Sequence, residues 1–166
     1  RNAEKDATPA KATYVGAVNI KGDATVTEGI TVAAGTTEKA AVLTQTSGNL
    51  TAKSLAVAAE VKNDKNEVTA QAGTFTQEDG KLTVDTLTNG GTMTVKGEVV
   101  TKADSVNTGA INSYESKTGS LTIAGGTFTN DGTMTFNKIT VADGATLKTG
   151  LNLKHEASFV GFQTLD

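Results

Sequence analysis

The single histidine, His155, stands beside Glu156 and is the best candidate for a catalytic base. Such a pair could activate a nucleophile, which in a chain without cysteine would have to be a serine or a threonine. The Gly-x-Ser-x-Gly turn that presents a reactive serine is absent from the sequence. Acidic residues are scattered, so no two carboxylates stand out as a glycosidase pair. We therefore expect a protein that is not an enzyme.

Calcium binding is the second chemistry that the residue types allow. The segment 63–67 (NDKNE) is the densest group of oxygen ligands, with Asp64, Asn66 and Glu67 as weak candidates. Calcium takes about six to eight oxygens, but Lys65 lies in the middle of the group. Neither EF-hand spacing nor a Gly-Gly-x-Gly-x-Asp repeat occurs. Turn chemistry accounts for the cluster, so we expect no cofactor and leave calcium as the alternative.

Repeated Thr-x-Thr pairs raise a third possibility, because several ice-binding proteins carry a regular ladder of such pairs on a flat solenoid face. Here the separations between successive pairs along the chain are uneven, which is too irregular for a lattice. We interpret the pairs as exposed strand residues, since threonine suits that position. The pairs are Thr25/Thr27, Thr44/Thr46, Thr74/Thr76, Thr92/Thr94, Thr127/Thr129 and Thr133/Thr135.

Composition narrows the classes of partner. A net charge of −3 gives no basic footprint, and aromatic residues make up only 4% with no tryptophan, so we expect no nucleic acid partner. No run approaches the roughly 18 apolar residues of a membrane helix, so we expect no membrane insertion. The polar start Arg1–Asp6 is typical of a mature or cut end. We expect a secreted or bacterial cell-surface protein.

Alternation with a period of two residues predicts the elements that position these side chains. Apolar-Thr-apolar triplets such as Leu82–Val84 alternate with Gly-, Asn- and Asp-rich corners, which indicates short strands and an all-β fold. We expect residues 1–11 to form a flexible or extended arm and residues 12–166 a single all-β repeat domain. The predicted inward column is Phe75, Leu82, Val84, Phe128, Met134, Phe136, Ile139 and Val141.

An internal repeat carries the fold prediction further. The segment 73–88, which begins at Gly73, reappears at 126–140, which begins at Gly126, and a weaker copy begins at Gly48. One such strand-corner-strand unit cannot bury its own apolar face, so the copies must stack. The sequence therefore predicts a solenoid of short Thr/Gly-rich repeats.

The runs GGTFTNDGTMTFNKITVADGATL (125–147) and GTFTQEDGKLTVDTLTNGGTMTVKG (73–97) resemble the passenger repeats of bacterial autotransporter adhesins of the pertactin and AIDA type. The likeness covers about the last two-thirds of the chain. It implies a right-handed parallel β-helix that acts in attachment, aggregation or biofilm formation at the bacterial surface. The implied partners are further copies of the chain and the surface of a host or neighbouring cell.

A fibre subunit is the alternative. In that hypothesis the domain is a β-sandwich that polymerises by β-strand exchange between chains. The candidate assembly strands contain Tyr14, Val18 and Ile20 near the N-terminus, and Phe159 and Phe162 near the C-terminus. The segment 91–100 resembles the strand that opens many chaperone–usher pilin domains, although the pilin cysteines are missing.

Overall fold

Strands with alternating buried and exposed residues make up all the regular structure of the described chain. The computed structural model describes residues 11–113, 118–150 and 153–160, the last of these by its backbone. The strands are β1 (Lys11–Tyr14), β2 (Ala17–Ile20), β3 (Ala24–Val32), β4 (Val42–Gln45), β5 (Asn49–Val57), β6 (Val61–Lys62), β7 (Val68–Ala70), β8 (Thr74–Gln77), β9 (Lys81–Asn89), β10 (Thr92–Val95), β11 (Glu98–Thr101), β12 (Ser105–Asn107), β13 (Ala110–Asn112), β14 (Ser120–Ile123), β15 (Thr127–Asn130), β16 (Thr133–Val141), β17 (Thr146–Thr149) and β18 (Leu153–Val160).

These strands coil into a parallel β-helix, which confirms the predicted fold class. Sixteen strands form one continuous sheet in which every pair is parallel, so the sandwich alternative is wrong. Face A contains β2, β4, β8, β10, β13 and the first half of β16, on which the first half of β18 stacks. Face B contains the first halves of β3, β5 and β9, then β11, β14 and the second half of β16, on which the second half of β18 stacks. Face C contains β1, the second halves of β3, β5 and β9, then β12, β15 and β17.

One full turn of the β-helix is called a coil below. The basic coil takes 18 residues, as the separation between Asn89 and its stacked partner Asn107 shows. Longer coils carry insertions at their corners. The step from Gln45 to its stacked partner Gln77 takes 32 residues and includes the antiparallel β6–β7 hairpin. Residues 33–41 lengthen the preceding coil at the same corner, and the N–H of Gly35 donates to the carbonyl of Gln71 at 2.8 Å. Insertions therefore leave the strand register intact.

The two copies of the sequence repeat lie on different faces of the helix. Phe75 belongs to β8 on face A, whereas the equivalent Phe128 belongs to β15 on face C. From Phe75 the chain makes two whole coils to reach Ile111, and only part of a further, lengthened coil to reach Phe128. The segment that begins at Gly48 stacks on the segment that begins at Gly80, with Leu50 paired to Leu82. The repeating sequence unit is one strand and one corner, while the repeating structural unit is the coil.

Inward side chains of all three faces form one axial core. All eight residues of the predicted inward column are at most 1% exposed, so that prediction is confirmed. Parallel pairing places each inward residue directly above its register partner, so Phe75 packs between Leu43 and Met93 on neighbouring coils. Close packing of this kind gives a thin core the density that stability requires.

An asparagine ladder runs up the inside of the corner between faces C and A. The Nδ2 atom of Asn89 donates to Oδ1 of Asn107, and Nδ2 of Asn107 donates to Oδ1 of Asn130, both at 2.7 Å. Asn130 then donates to the hydroxyl of Thr149 at 2.9 Å. Each Asn is at most 3% exposed, so these bonds satisfy polar groups that would otherwise be costly to bury.

A pair of glutamines has the same role at the corner between faces A and B. The Nε2 atom of Gln77 donates to Oε1 of Gln45 at 3.0 Å, and both side chains are fully buried. Oε1 of Gln77 accepts the N–H of Gly97 at 3.0 Å, which ties the amide to the next coil. Buried amides therefore connect successive coils at two of the three corners.

Glycines stack at these same two corners because successive backbones approach each other closely there. A Cβ at Gly91 would overlap the carbonyl oxygen of Gly73, and one at Gly109 would overlap that of Gly91. At the other corner, Gly48 and Gly80 have positive φ angles of 81° and 92°. The left-handed conformation there favours glycine independently of space.

We predict that Asn107→Val lowers the free energy of unfolding by about 2–4 kcal/mol, because it removes two ladder bonds, the one that Asn107 accepts from Asn89 and the one that it donates to Asn130. Asn89→Val is the matched control. Asn89 has one ladder bond, to Asn107, because its register partner on the preceding coil is Val57. This control should cost about half as much, measured by urea unfolding of both variants. Equal losses in the two variants would contradict the ladder as the source of the stability.

A second prediction concerns the stacked glycines. Gly91→Ala should destabilise the chain by about 1–3 kcal/mol, since the added methyl group meets fixed backbone atoms. Gly16→Ala is the control, because a Cβ there meets nothing within 4 Å. Thermal unfolding followed by circular dichroism should show a lowered Tm for Gly91→Ala alone. A Tm equal to wild type would mean that the coils can separate at this corner without cost.

Candidate functional surface

The candidate calcium residues lie at the tip of the β6–β7 hairpin, exposed to solvent. Oδ1 of Asn63 accepts the N–H groups of Lys65 and Glu67, and its Nδ2 donates to Oε2 of Glu67 at 2.8 Å. Asn66 takes a positive φ of 64°, as tight turns require. No group of three or more His, Cys, Asp or Glu side chains within residues 11–113 and 118–150 could hold a metal ion. The geometry of Asp64, Asn66 and Glu67 is that of a turn.

His155 lies in β18, where its register partner is Phe136 of β16. Its neighbour Glu156 belongs to the same strand. The structure describes this strand by its backbone alone, so the expectation that His155 is not catalytic stays a prediction.

The candidate assembly residues near the N-terminus belong to two strands. Tyr14 ends β1 on face C, whereas Val18 and Ile20 lie in β2 on face A. Ile20 is 3% exposed and packs into the core, and partial burial raises the pKa of Tyr14 above its usual value of 10. Within the described chain, β1 and β2 each pair on one side only. These strands form the lower edge of the helix.

At the other end, Phe159 lies in β18 in register with Ile139 of β16. Phe162 lies outside the described residues. The predicted roles of both aromatic residues in assembly remain predictions.

Face A brings three of the six Thr-x-Thr pairs into register. These pairs, at 74/76, 92/94 and 133/135, face outward on β8, β10 and β16. The uneven sequence spacing arises from insertions at the corners and from the placement of other pairs, such as Thr127/Thr129, on other faces. Two outward columns result: Ala17, Val42, Thr74, Thr92, Ala110 and Thr133 in one, and Asn19, Thr44, Thr76, Thr94, Asn112 and Thr135 in the other.

These twelve outward positions contain seven threonines and no charged residue. None of the seven threonine side chains forms a hydrogen bond within the described chain, so their hydroxyls face solvent unpaired. Register shifts are absent from the five strand pairs that build this face. Lys154 of β18 takes the register position above Thr135, so a charged residue stands on the next rung, a rung being the strand of one coil on one face. The six rungs from β2 to β16 therefore carry uncharged outward residues, most of them threonines.

Face B carries a comparable threonine column beside charged residues. Thr51 and Thr83 are register partners on it, flanked by the paired residues Asn49 and Lys81. Lys81 lies 3.9 Å from Glu98, and the Thr122 hydroxyl donates to Oε1 of Glu98 at 3.3 Å. Some of the hydroxyl and charged groups of face B therefore interact with each other within the protein.

Face C has an open groove of about 440 Å³ between β12, β15 and β17. A carboxylate oxygen of Asp104 in this groove accepts the N–H of Thr127 at 2.9 Å, which fixes the corner before β12. The groove is lined by Thr88, Asp104, Ser105, Val106, Thr127, Thr129 and Lys148. It offers one lysine and several hydroxyls, with its carboxylate already committed to the backbone.

No helix in the described part of the chain has the length and apolar character that crossing a membrane requires. Comparison with known proteins found no family model, no curated protein and no solved structure that matches this chain. The outer faces of the β-helix are therefore the features from which a function can be proposed.

Proposed function

We propose that this chain is a non-enzymatic, extracellular structural or adhesive protein of the bacterial surface, with face A as its binding surface. The observation that carries this proposal is the in-register array of seven unpaired threonine hydroxyls, which lie on four of six rungs whose outward residues are all uncharged. Attachment, aggregation or biofilm formation requires an extended surface that makes many equivalent contacts. Face A has that form.

The β-helix suits such a role because its outer faces are held by a continuous sheet. Amide ladders and stacked glycines fix two of the three corners, so the outward positions of face A cannot shift independently. A rigid array loses little conformational entropy on binding, and weak contacts on several rungs multiply into useful avidity. Partial burial of most of these threonines further limits their rotamers.

The test compares two double variants in attachment assays on bacterial cells and immobilised surface glycans. Thr76→Lys/Thr94→Lys places two lysines on adjacent rungs of face A, and Thr51→Lys/Thr83→Lys does the same on face B. We expect the face A variant to lose about tenfold or more in affinity, because a planar partner would have to desolvate two unpaired charges. The face B variant should bind as wild type does. Equal binding by both variants would exclude face A as the attachment surface.

A fibre subunit is the second candidate function, favoured by the lower edge of the helix. In the described chain β1, β2 and the first half of β3 have no strand on their outer side. Unpaired strand edges are templates for pairing with another chain. In a β-helix such pairing would stack copies end to end and extend all three faces.

Electron microscopy of the purified chain, with and without residues 1–10, tests the second candidate. This deletion spares β1, which begins at Lys11, one residue before the expected domain boundary. Filaments that disappear on deletion would establish a polymerising subunit that uses its N-terminal segment. Short rods with or without these residues would exclude it and favour a single β-helix that acts in attachment.

A further inference from the structure

We propose that the partner of face A is crystalline water, so that the chain adsorbs to ice through its threonine array. The inference rests on the proposed use of face A as a binding surface, and it names the chemistry of what is bound. The uneven sequence spacing of the Thr-x-Thr pairs arises from corner insertions and from the placement of some pairs on other faces. In the folded chain Thr74/Thr76 and Thr92/Thr94 occupy equivalent places on adjacent rungs of face A.

The geometry of face A is that of a two-dimensional net. Neighbouring parallel strands lie about 4.8 Å apart, and outward residues two positions apart on one strand lie about 6.6 Å apart. The first distance is close to an oxygen repeat of hexagonal ice, and the second is shorter than the repeat along a second axis, so the match is better along the helix than along the strands. The best-developed part of the net is the block of Thr74, Thr76, Thr92 and Thr94, with Thr44 on the rung below.

Threonine has the chemistry that a surface of ordered water needs. Its hydroxyl can replace one water in a hydrogen-bonded lattice, and its methyl group lies beside the hydroxyl without competing for hydrogen bonds. All seven hydroxyls of face A are free of protein partners within the described residues. The absence of charge matters equally, because an ionised side chain would organise water around itself and disturb the lattice.

Other occupants fit face A less well. Six rungs about 4.8 Å apart and four residues wide cover roughly 300 Å². A standard protein interface buries about 800 Å² on each partner, so a second copy docked on this face alone would bind weakly. Binding of sugar rings through their faces calls for aromatic side chains, and all twelve outward positions lack them. A crystal, in contrast, can bind a small protein face if the spacing of the side chains matches the spacing of its lattice.

The departures from threonine on face A are small and neutral. Val42 and Ala110 interrupt one column, Asn112 interrupts the other, and Ala17 and Asn19 occupy the first rung. Because none of these side chains is charged or aromatic, they leave the face planar. Ala110 and Asn112 separate the central block from the pair Thr133 and Thr135, so binding should depend most on the block.

The experiment is ice-affinity partition of the full chain, in which a slowly growing ice body takes up adsorbing protein, together with inhibition of ice recrystallisation. Wild-type chain should enrich in the ice and keep its crystals small. Thr76→Lys/Thr94→Lys should lose about tenfold or more in partition, since two charges cannot be seated on a neutral lattice. Thr51→Lys/Thr83→Lys on face B should partition as wild type does. Circular dichroism of each variant establishes that the β-helix is retained.

Exclusion of the wild-type chain from ice would overturn the inference, and so would equal losses in the two folded variants. Comparison with the attachment assays separates this failure from failure of the proposed function. If the face A variant loses attachment to cells or glycans while wild-type chain is excluded from ice, face A is a binding surface with a different partner. If face A affects neither assay, both proposals fail.

Discussion

Parallel register between successive coils is the constraint on which the rest of the structure depends. Each strand is hydrogen-bonded to the equivalent strand of the next coil, so inward residues stack in columns, as Leu43, Phe75 and Met93 do. With aromatic residues at 4% of the chain, the core has few large side chains. Continuous stacking compensates by packing each inward residue against its partners on the neighbouring coils. The same register that builds the core also aligns everything that points outward.

Corners are where this register is protected. Close backbone approach at two of them excludes a Cβ, and the amides of Gln77 and Asn107 bridge successive coils just inside. The long insertions enter between strands, as in the β6–β7 hairpin and the 33–41 loop that bonds to its base, and a single extra residue enters β3 where that strand passes from face B to face C. A corner can therefore grow without moving the faces. Constant strand geometry combined with variable corners makes the sequence look less regular than the molecule is.

Local patterns allow most of the fold to be predicted, since period-two alternation identifies the inward column from Phe75 to Val141 correctly. Which strands share a face cannot be predicted, because that depends on the sum of all corner lengths between them. The copies that contain Phe75 and Phe128 look equivalent in sequence and lie on faces A and C. Asn89 and Asn130 belong to Gly-, Asn- and Asp-rich corners of the sequence, yet their side chains point inward. Inward and outward residues alternate along the strand that leads to each Asn, and this alternation places the Asn side chain inward. Extending the alternation to the corner could therefore have revealed the ladder.

The three faces differ in how far their polar groups are already used. On face B, Glu98 lies within salt-bridge distance of Lys81 and accepts the Thr122 hydroxyl, and on face C Asp104 holds the N–H of Thr127. Face A makes no comparable use of its threonines within the described chain. An exposed strand favours β-branched residues. It also accommodates charged residues, as the outward positions of faces B and C show. The proposed partner of face A would account for twelve successive outward positions without charge, a pattern that strand geometry alone does not require.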